Sequence, residues 1–205
     1  MPAIAANTAP MEVVSTITPA ACTPSLSGGG VADYGTMSAD ILKPGRITAL
    51  ETRSLSFTIS CDAAAKISIR MIDNRAGSLV NGIVASGSGN GSLGDDFNFG
   101  LGSASGKNIG GYLIKLQPGS YTGDYRSAQL MSSADGGTSW QAWNSGEVAK
   151  GRSFSWSSGS SNSVDAYQNI AGVLNIQPYL NKPENLSLSQ EIVLDGSATI
   201  ELNYL

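Results

Sequence analysis

The last stretch of the chain alternates apolar and polar side chains with a period of two residues. Its odd-numbered positions are mostly polar, and the even-numbered, mostly apolar set is Ile192, Leu194, Gly196, Ala198, Ile200, Leu202 and Tyr204. A helix would repeat every 3.6 residues, so this pattern predicts a half-buried β-strand. Chain ends usually fray. We therefore expect this strand to have a role that requires it to be ordered.

The dipeptide Asp195-Gly196 leaves a second interpretation of this stretch open, because Asp-Gly is a strong signal for a two-residue hairpin turn. One long strand over 192–204 keeps the apolar stripe on one face. A hairpin would place Leu194 and Ser197 on the same face and would add a strand to the sheet. The pattern favours the single strand.

Short strand-like runs separated by Gly, Ser and Pro fill the rest of the chain, with no convincing amphipathic helix between them. This organisation predicts an all-β, immunoglobulin-like β-sandwich. We assign residues 11–205 to a single sandwich domain and residues 1–10 to a flexible N-terminal segment. Residues 86–94 and 157–163 lack apolar periodicity and are interpreted as long Gly/Ser-rich loops.

The composition excludes several classes of function. The 205 residues include no histidine, so a Ser–His–Asp triad and histidine-based zinc sites are impossible. The net charge is −4 without a Lys/Arg run, so nucleic-acid binding lacks its electrostatic footprint. No apolar stretch is long enough to span a membrane. We predict no enzyme activity, no cofactor and no metal; a secreted hydrolase that uses carboxylates is the weakest alternative.

Two cysteines, Cys22 and Cys61, each lie near a strand-like run. One is preceded by 11–18, and the other ends the alternating run 54–61. A disulfide between them would indicate an oxidising compartment and would contribute about 4 kcal/mol in the chain-entropy model. Two free buried cysteines in a cytosolic protein are the alternative. The absence of Cys-x-x-Cys argues against a redox role.

Two local motifs predict structure more than chemistry. Residues 133–140 resemble the Asp-box hairpin, in which Asp135 caps the backbone amides of the turn and Trp140 packs beneath it. The box occurs once, which argues against a propeller. Residues 89–94 match G-x-G-x-x-G, but nothing helical follows, so a flexible loop is favoured over a dinucleotide site.

The tryptophans offer a rival interpretation, in which the chain is a self-contained carbohydrate-binding sandwich. Trp140, Trp143 and Trp156 are its candidate glycan contacts. The other interpretation is that these rings pack in the core and in hairpins, where aromatic side chains supply much of the buried area of a β-sandwich. The pattern favours packing.

A strand-like segment leads to the first cysteine, a second cysteine follows about 40 residues later, and a tyrosine is the penultimate residue. Narrower motifs are 18–24, Asp33-Tyr34-Gly35, Cys61-Asp62, Asp73-Asn74-Arg75-Ala76-Gly77 and 200–205. Taken in order, these segments resemble a fimbrial-like family of Gram-negative bacteria that is known as a domain of unknown function and is related to chaperone–usher pilins.

This resemblance implies a pilin-like sandwich that lacks one strand and is completed by a strand from another polypeptide. The partner would be a periplasmic chaperone or a neighbouring fimbrial subunit, and a host or surface glycan is a further candidate. The edge that borders the open groove would be formed by Ile192, Leu194, Ala198, Ile200, Leu202 and Tyr204. The expected location is the periplasm and then the cell surface. Residues 1–6 contain no secretory signal and fit a mature start with an added methionine.

Overall fold

The computed structural model of the protein describes residues 14–15, 20–159 and 162–205. Within these ranges the chain folds into two antiparallel β-sheets that share an apolar core, which confirms the all-β sandwich prediction. The predicted flexible segment 1–10 and most of the strand predicted over 11–18 lie outside the described residues.

The first sheet is built on two long strands, Arg53–Ala65 and Tyr167–Leu180, which pair with each other and with four of the other strands. Its strands are β1 (Cys22–Leu26), β2 (Thr48–Ala49), β3 (Arg53–Ala65), β5 (Phe99–Gly100), β8 (Gly110–Leu116), β9 (Thr122–Gly123), β10 (Arg126–Ser127) and β14 (Tyr167–Leu180). The main order is β1-β3-β14-β8-β5, with β2 and β9 on other parts of β14 and β10 beside β9. The alternation in β3 buries Leu55, Phe57 and Ile59 and exposes the residues between them, as a half-buried strand requires.

The second sheet has the order β12-β11-β13-β4-β15. Its strands are β4 (Ile67–Asp73), β11 (Gln129–Ser133), β12 (Gln141–Ala142), β13 (Ser153–Ser157) and β15 (Ala198–Tyr204). The C-terminal strand β15 is therefore an edge strand, paired along its length with β4.

Helical structure in the described residues is limited to short pieces. The only α-helix in the described ranges is α1 (Ile83–Ser88), which packs through Ile83 and Val84 against Leu113 and Tyr179 of the first sheet. This corrects the loop prediction for 86–94, whose first residues belong to the helix. The 3₁₀ helices are Ser27–Gly30, Ala39–Ile41, Ala76–Ser78, Asp95–Phe97 and Pro183–Asn185. A separate two-stranded hairpin is formed by β6 (Ser103–Ala104) and β7 (Lys107–Asn108).

The centre of the core is aromatic. The rings of Phe57 and Trp156, one from each sheet, are stacked with centroids 6.0 Å apart. The ring of Tyr121 lies 5.7 Å from that of Trp156. All three side chains are almost completely buried, so these rings hold the two sheets together through dispersion and hydrophobic burial.

The predicted disulfide between Cys22 and Cys61 is present and links β1 to β3. In the described residues, β1 begins at Cys22 and continues to Leu26. The strand-like run predicted before this cysteine stays a prediction, because most of it lies outside the described residues. The disulfide therefore fastens the beginning of β1.

The Asp-box segment forms the connection between the antiparallel strands β11 and β12. The Asp135 carboxylate accepts hydrogen bonds from the Ser133 hydroxyl at 2.6 Å, the Ser139 amide at 3.0 Å and the Thr138 amide at 3.1 Å. These bonds, that of Ser133 first, hold the pKa of Asp135 well below its usual range. The motif has a structural role here.

Candidate binding groove

One side of the sandwich is open in the part of the chain that the structure describes. It lies between β1, the outer strand of the first sheet, and β15, the outer strand of the second. A cavity of about 330 Å³ opens between the sheets at this side. It reaches Leu174 and Ile114 on the inner face of the first sheet and Ala198 and Ile200 on β15. Core side chains are thus accessible from this opening.

A second cavity of about 540 Å³ continues the opening beyond the start of β15. Its walls are residues 31–42, which follow β1, and residues 186–194, which precede β15. The two cavities share Val31, Ala32, Tyr34 and Leu194. Together they form one groove, which we call the open groove.

Large apolar side chains are exposed along the open groove. Val31 and Val193 are each 65% exposed, and both line the larger cavity. Leu188 and Ile41 line the same cavity and are also exposed. Contiguous apolar exposure of this kind is typical of interaction sites, whereas single exposed apolar residues are ordinary.

The hydrogen-bonding register of β15 leaves a regular row of backbone groups on the groove side. The Asn74 amide donates to the Ser197 carbonyl and the Leu205 amide donates to the Lys66 carbonyl, both at 3.0 Å. In an antiparallel pair, alternate residues bond to the neighbouring strand. The odd-numbered residues of β15 therefore bond to β4, and the backbone groups of Ala198, Ile200, Leu202 and Tyr204 point to the open side of the sandwich. Ala198 and Ile200 line the smaller cavity of the groove. In the described sheet no strand lies beyond them.

The motif Asp73-Asn74-Arg75 fixes the point at which this edge begins. The Arg75 guanidinium donates to both carboxylate oxygens of Asp195, at 2.8 and 3.0 Å, and to the Asp195 carbonyl at 3.1 Å. The Asn74 amide side chain donates to the hydroxyls of Ser197 and Thr199. The bond from Arg75 lowers the pKa of Asp195. These contacts hold 195–199 against the turn that ends β4.

The base of the same turn is anchored by the nearly buried carboxylate of Asp73. It accepts hydrogen bonds from the Arg75 amide at 2.9 Å and the Gly100 amide at 3.0 Å, and Lys150 Nζ lies 3.7 Å away. A buried charge is tolerated when it is paired and hydrogen-bonded in this way. In the sequence, Asp73-Asn74-Arg75 was only part of the resemblance to the fimbrial-like family. In the tertiary structure, these residues position the start of β15.

On the opposite wall of the groove, Tyr34 attaches residues 31–42 to the first sheet. Its hydroxyl donates to the Ile176 carbonyl at 3.0 Å, and the Arg53 guanidinium lies 5.5 Å from its ring centroid. Burial raises the pKa of Tyr34 to about 12. Sequence reasoning missed this wall, although the apolar residues between the glycine run 28–30 and Gly45 were a signal that could have indicated it.

The six predicted edge residues divide into two groups. Ala198, Ile200, Leu202 and Tyr204 lie in β15, and the first three pack against the core. Ile192 and Leu194 also pack against the core, but they precede the strand. The single strand predicted over 192–204 is therefore wrong in its first half.

The alternative hairpin at Asp195-Gly196 is wrong as well. A type I′ turn needs positive φ at both central residues, and neither residue has it. The segment before β15 is instead held in place by Arg75 and by the Asp195 amide, which donates to the Leu101 carbonyl at 3.1 Å.

The structure does not bring the three tryptophans together as a surface. Trp156 is fully buried in the core, which excludes it as a glycan contact. Trp143 packs against the core, and its indole N–H donates to the Glu147 carbonyl at 2.9 Å. The Trp140 indole N–H donates to the Gly137 carbonyl within the Asp-box turn. Both partly exposed rings thus have structural contacts.

Within the described ranges, no group of three or more Cys, Asp and Glu residues is placed to hold a metal ion. None of the described helices is long and apolar enough to cross a membrane.

Comparison with known proteins gives one family and two relatives. Residues 11–113 match the model of the family described as "Protein of unknown function (DUF1120)". The chain is 28% identical over 223 aligned residues to the uncharacterized protein YhcF of Escherichia coli strain K12, covering 100% of this chain and 94% of that protein. It is 31% identical over 74 residues to protein GltF of the same organism, covering 34% of this chain and 29% of GltF.

Proposed function

We propose that this chain, which belongs to the family described as "Protein of unknown function (DUF1120)", is a secreted, fimbrial-like structural subunit whose open groove receives an extended strand from another polypeptide. The observation that carries the proposal is the free backbone edge of β15 beside accessible core side chains. An added strand would satisfy those backbone groups and cover the apolar floor at the same time, which is the physical basis of β-augmentation.

The disulfide supports the proposed location. Disulfides persist in oxidising compartments such as the periplasm and the cell exterior. The Cys22–Cys61 bond also holds β1 on the first sheet while the groove beside it is unfilled. In this proposal the partner is a periplasmic chaperone or a neighbouring subunit, and the chain has no catalytic role. One core cluster draws on both sheets, which supports a single domain over 11–205.

The carbohydrate-binding alternative has little support. It requires aromatic faces that a sugar can reach, and Trp156 is buried while Trp140 and Trp143 are engaged in local structure. The open groove is lined mainly by aliphatic side chains, and its tyrosines are Tyr34 and the buried Tyr112. The backbone edge of β15 beside it suits an extended peptide better than a sugar ring.

The proposal can be tested by supplying the missing strand from the chain itself. A fusion would add three parts after Leu205: a threonine, an Asn-Gly turn, and a strand of alternating valine and threonine. The valines of that strand would fall opposite Ala198, Ile200 and Leu202. We expect the amides of these three residues to become protected from hydrogen exchange. We also expect the melting temperature to rise by about 2–4 °C for each kcal/mol that the added strand contributes to the free energy of unfolding.

The matched control carries the same added residues with the valines and threonines interchanged, so that the apolar side chains face solvent. A shift by one position reverses every side chain of a strand. The proposal fails if both fusions behave like the unmodified chain, or if the two protect β15 equally.

A further inference from the structure

The open groove is bordered by two strand edges, and they differ in their capacity to accept a partner. Besides β15, the strand β1 presents its outer edge to the groove. The Asp62 amide donates to the Ala21 carbonyl at 3.0 Å. Since bonding residues alternate in an antiparallel pair, Thr23 and Ser25 bond to β3. The backbone groups of Cys22, Pro24 and Leu26 point away from β3, toward the open side of the sandwich, and Leu26 lines the groove.

Two of the three N–H groups expected along this edge are missing or engaged. Pro24 has no N–H, and its position matches the placement of proline at the outer side of edge strands. The Cys22 amide donates to the Tyr204 hydroxyl at 2.8 Å. Only Leu26 is left to donate to a neighbouring strand, so β1 cannot form the alternating ladder that an added strand requires.

We infer that Pro24 and the Tyr204 hydroxyl close the β1 edge, so that the groove accepts one extended strand of another polypeptide, and accepts it on β15 alone. The inference rests on the proposed function and deepens it by assigning two residues that determine which sheet is extended. Without them, an incoming strand could pair with either sheet, or two strands could enter together. Blocking one edge is a device by which sheet proteins restrict unwanted pairing.

Tyr204 contributes to both edges in different ways. Its backbone belongs to the row of free groups on β15, and its side chain caps β1. Replacement by phenylalanine would remove the cap and leave the backbone of β15 unchanged. Pro24→Thr would restore the missing donor with a residue that suits a strand.

The experiment uses the full chain, the variant Pro24→Thr/Tyr204→Phe, and a short synthetic peptide of alternating valine and threonine with lysines at its ends. Isothermal titration gives the number of peptides bound, and hydrogen exchange gives the edge that they occupy. We expect the unmodified chain to bind one peptide and to protect Ala198, Ile200 and Leu202. We expect the variant to bind two, with about tenfold slower exchange at Leu26.

Pro44→Thr is the matched control, because Pro44 lies in a turn closed by the Arg46 amide and the Lys43 carbonyl, away from both edges. It should bind one peptide. An intact disulfide and an unchanged unfolding midpoint establish that each variant is folded.

The outcomes separate this inference from the proposed function. Protection of Leu26 in the unmodified chain, or one bound peptide in the folded variant, would overturn the inference and leave strand addition at β15 intact. If neither protein binds the peptide, strand addition and the closed edge are both rejected.

Discussion

The two lateral sides of the sandwich are closed to different degrees. On one side, the chain crosses from β12 of the second sheet to the first sheet, where residues 146–148 pair with β8. The Leu116 amide donates to the Gly146 carbonyl at 2.8 Å, and the Val148 amide donates to the Ile114 carbonyl at 2.9 Å. Val148 is fully buried there. On the other side, 188–197 runs beside the groove without joining a sheet, and Val193 is 65% exposed. Within the described residues, a crossing segment therefore closes one side of the sandwich, and no such segment closes the other.

The largest effect is expected from the covalent link on the open side. Cys22→Ser/Cys61→Ser should lower the free energy of unfolding by about 2–5 kcal/mol, because β1 would then lose its covalent link to β3. Urea denaturation measures the change. Thr23→Ser, on the outer face of the same strand, should stay within about 0.5 kcal/mol. A loss below about 1 kcal/mol in the double variant would mean that the open side does not depend on the disulfide.

The comparison of the two sides is sharpest with the same substitution on each. Val148→Ala should cost about 2 kcal/mol, because it leaves a cavity in packed surroundings. Val193→Ala should change stability by less than about 0.5 kcal/mol, because that side chain is mostly in water. Thermal and urea unfolding of both variants test this. Equal losses of stability in the two variants would show that Val193 in 188–197 is packed as firmly as Val148 on the closed side.

A smaller effect is expected where Arg75 holds the start of β15. Arg75→Ala should accelerate amide exchange at Thr199 several-fold with little change in global stability, since the pair with Asp195 is exposed. Arg75→Lys keeps the charge and loses the two-pronged geometry. It should therefore resemble the alanine variant. A lysine variant with unmodified exchange rates would show that charge alone positions the strand.

The smallest effect concerns pH and the Asp-box turn. Because hydrogen bonds lower the pKa of Asp135 in the folded state, its contribution is complete above the unfolded pKa of about 3.9 and declines as the pH falls toward the folded value. Asp135→Asn should thus be less stable than the unmodified chain at neutral pH, with the difference narrowing below about pH 4. Melting temperatures across that range measure it, and a constant difference would contradict the assignment.

Sequence reasoning worked well where a pattern reports directly on burial. The alternation in 54–61 and in 198–204 identified half-buried strands, and both are present. The disulfide followed from two cysteines beside strands. Trp156 was harder to place, because a ring that can stack on a sugar and a ring that fills a core have the same chemistry. Only its packing against Phe57 and Tyr121 distinguishes them.

The terminal stripe separates what sequence determines from what tertiary structure decides. The sequence alone determined which side chains face the core: Ile192 and Leu194 pack inward, as do Ala198 and Ile200. It could not determine where the strand begins, because a strand needs a neighbour. β4 ends at Asp73, opposite Ala198, and the chain then turns. Residues before Ser197 therefore have no strand to pair with, and Arg75 holds them beside the turn. A period of two specifies the faces of an extended chain, but partner strands elsewhere in the fold decide where pairing begins and which edge stays free.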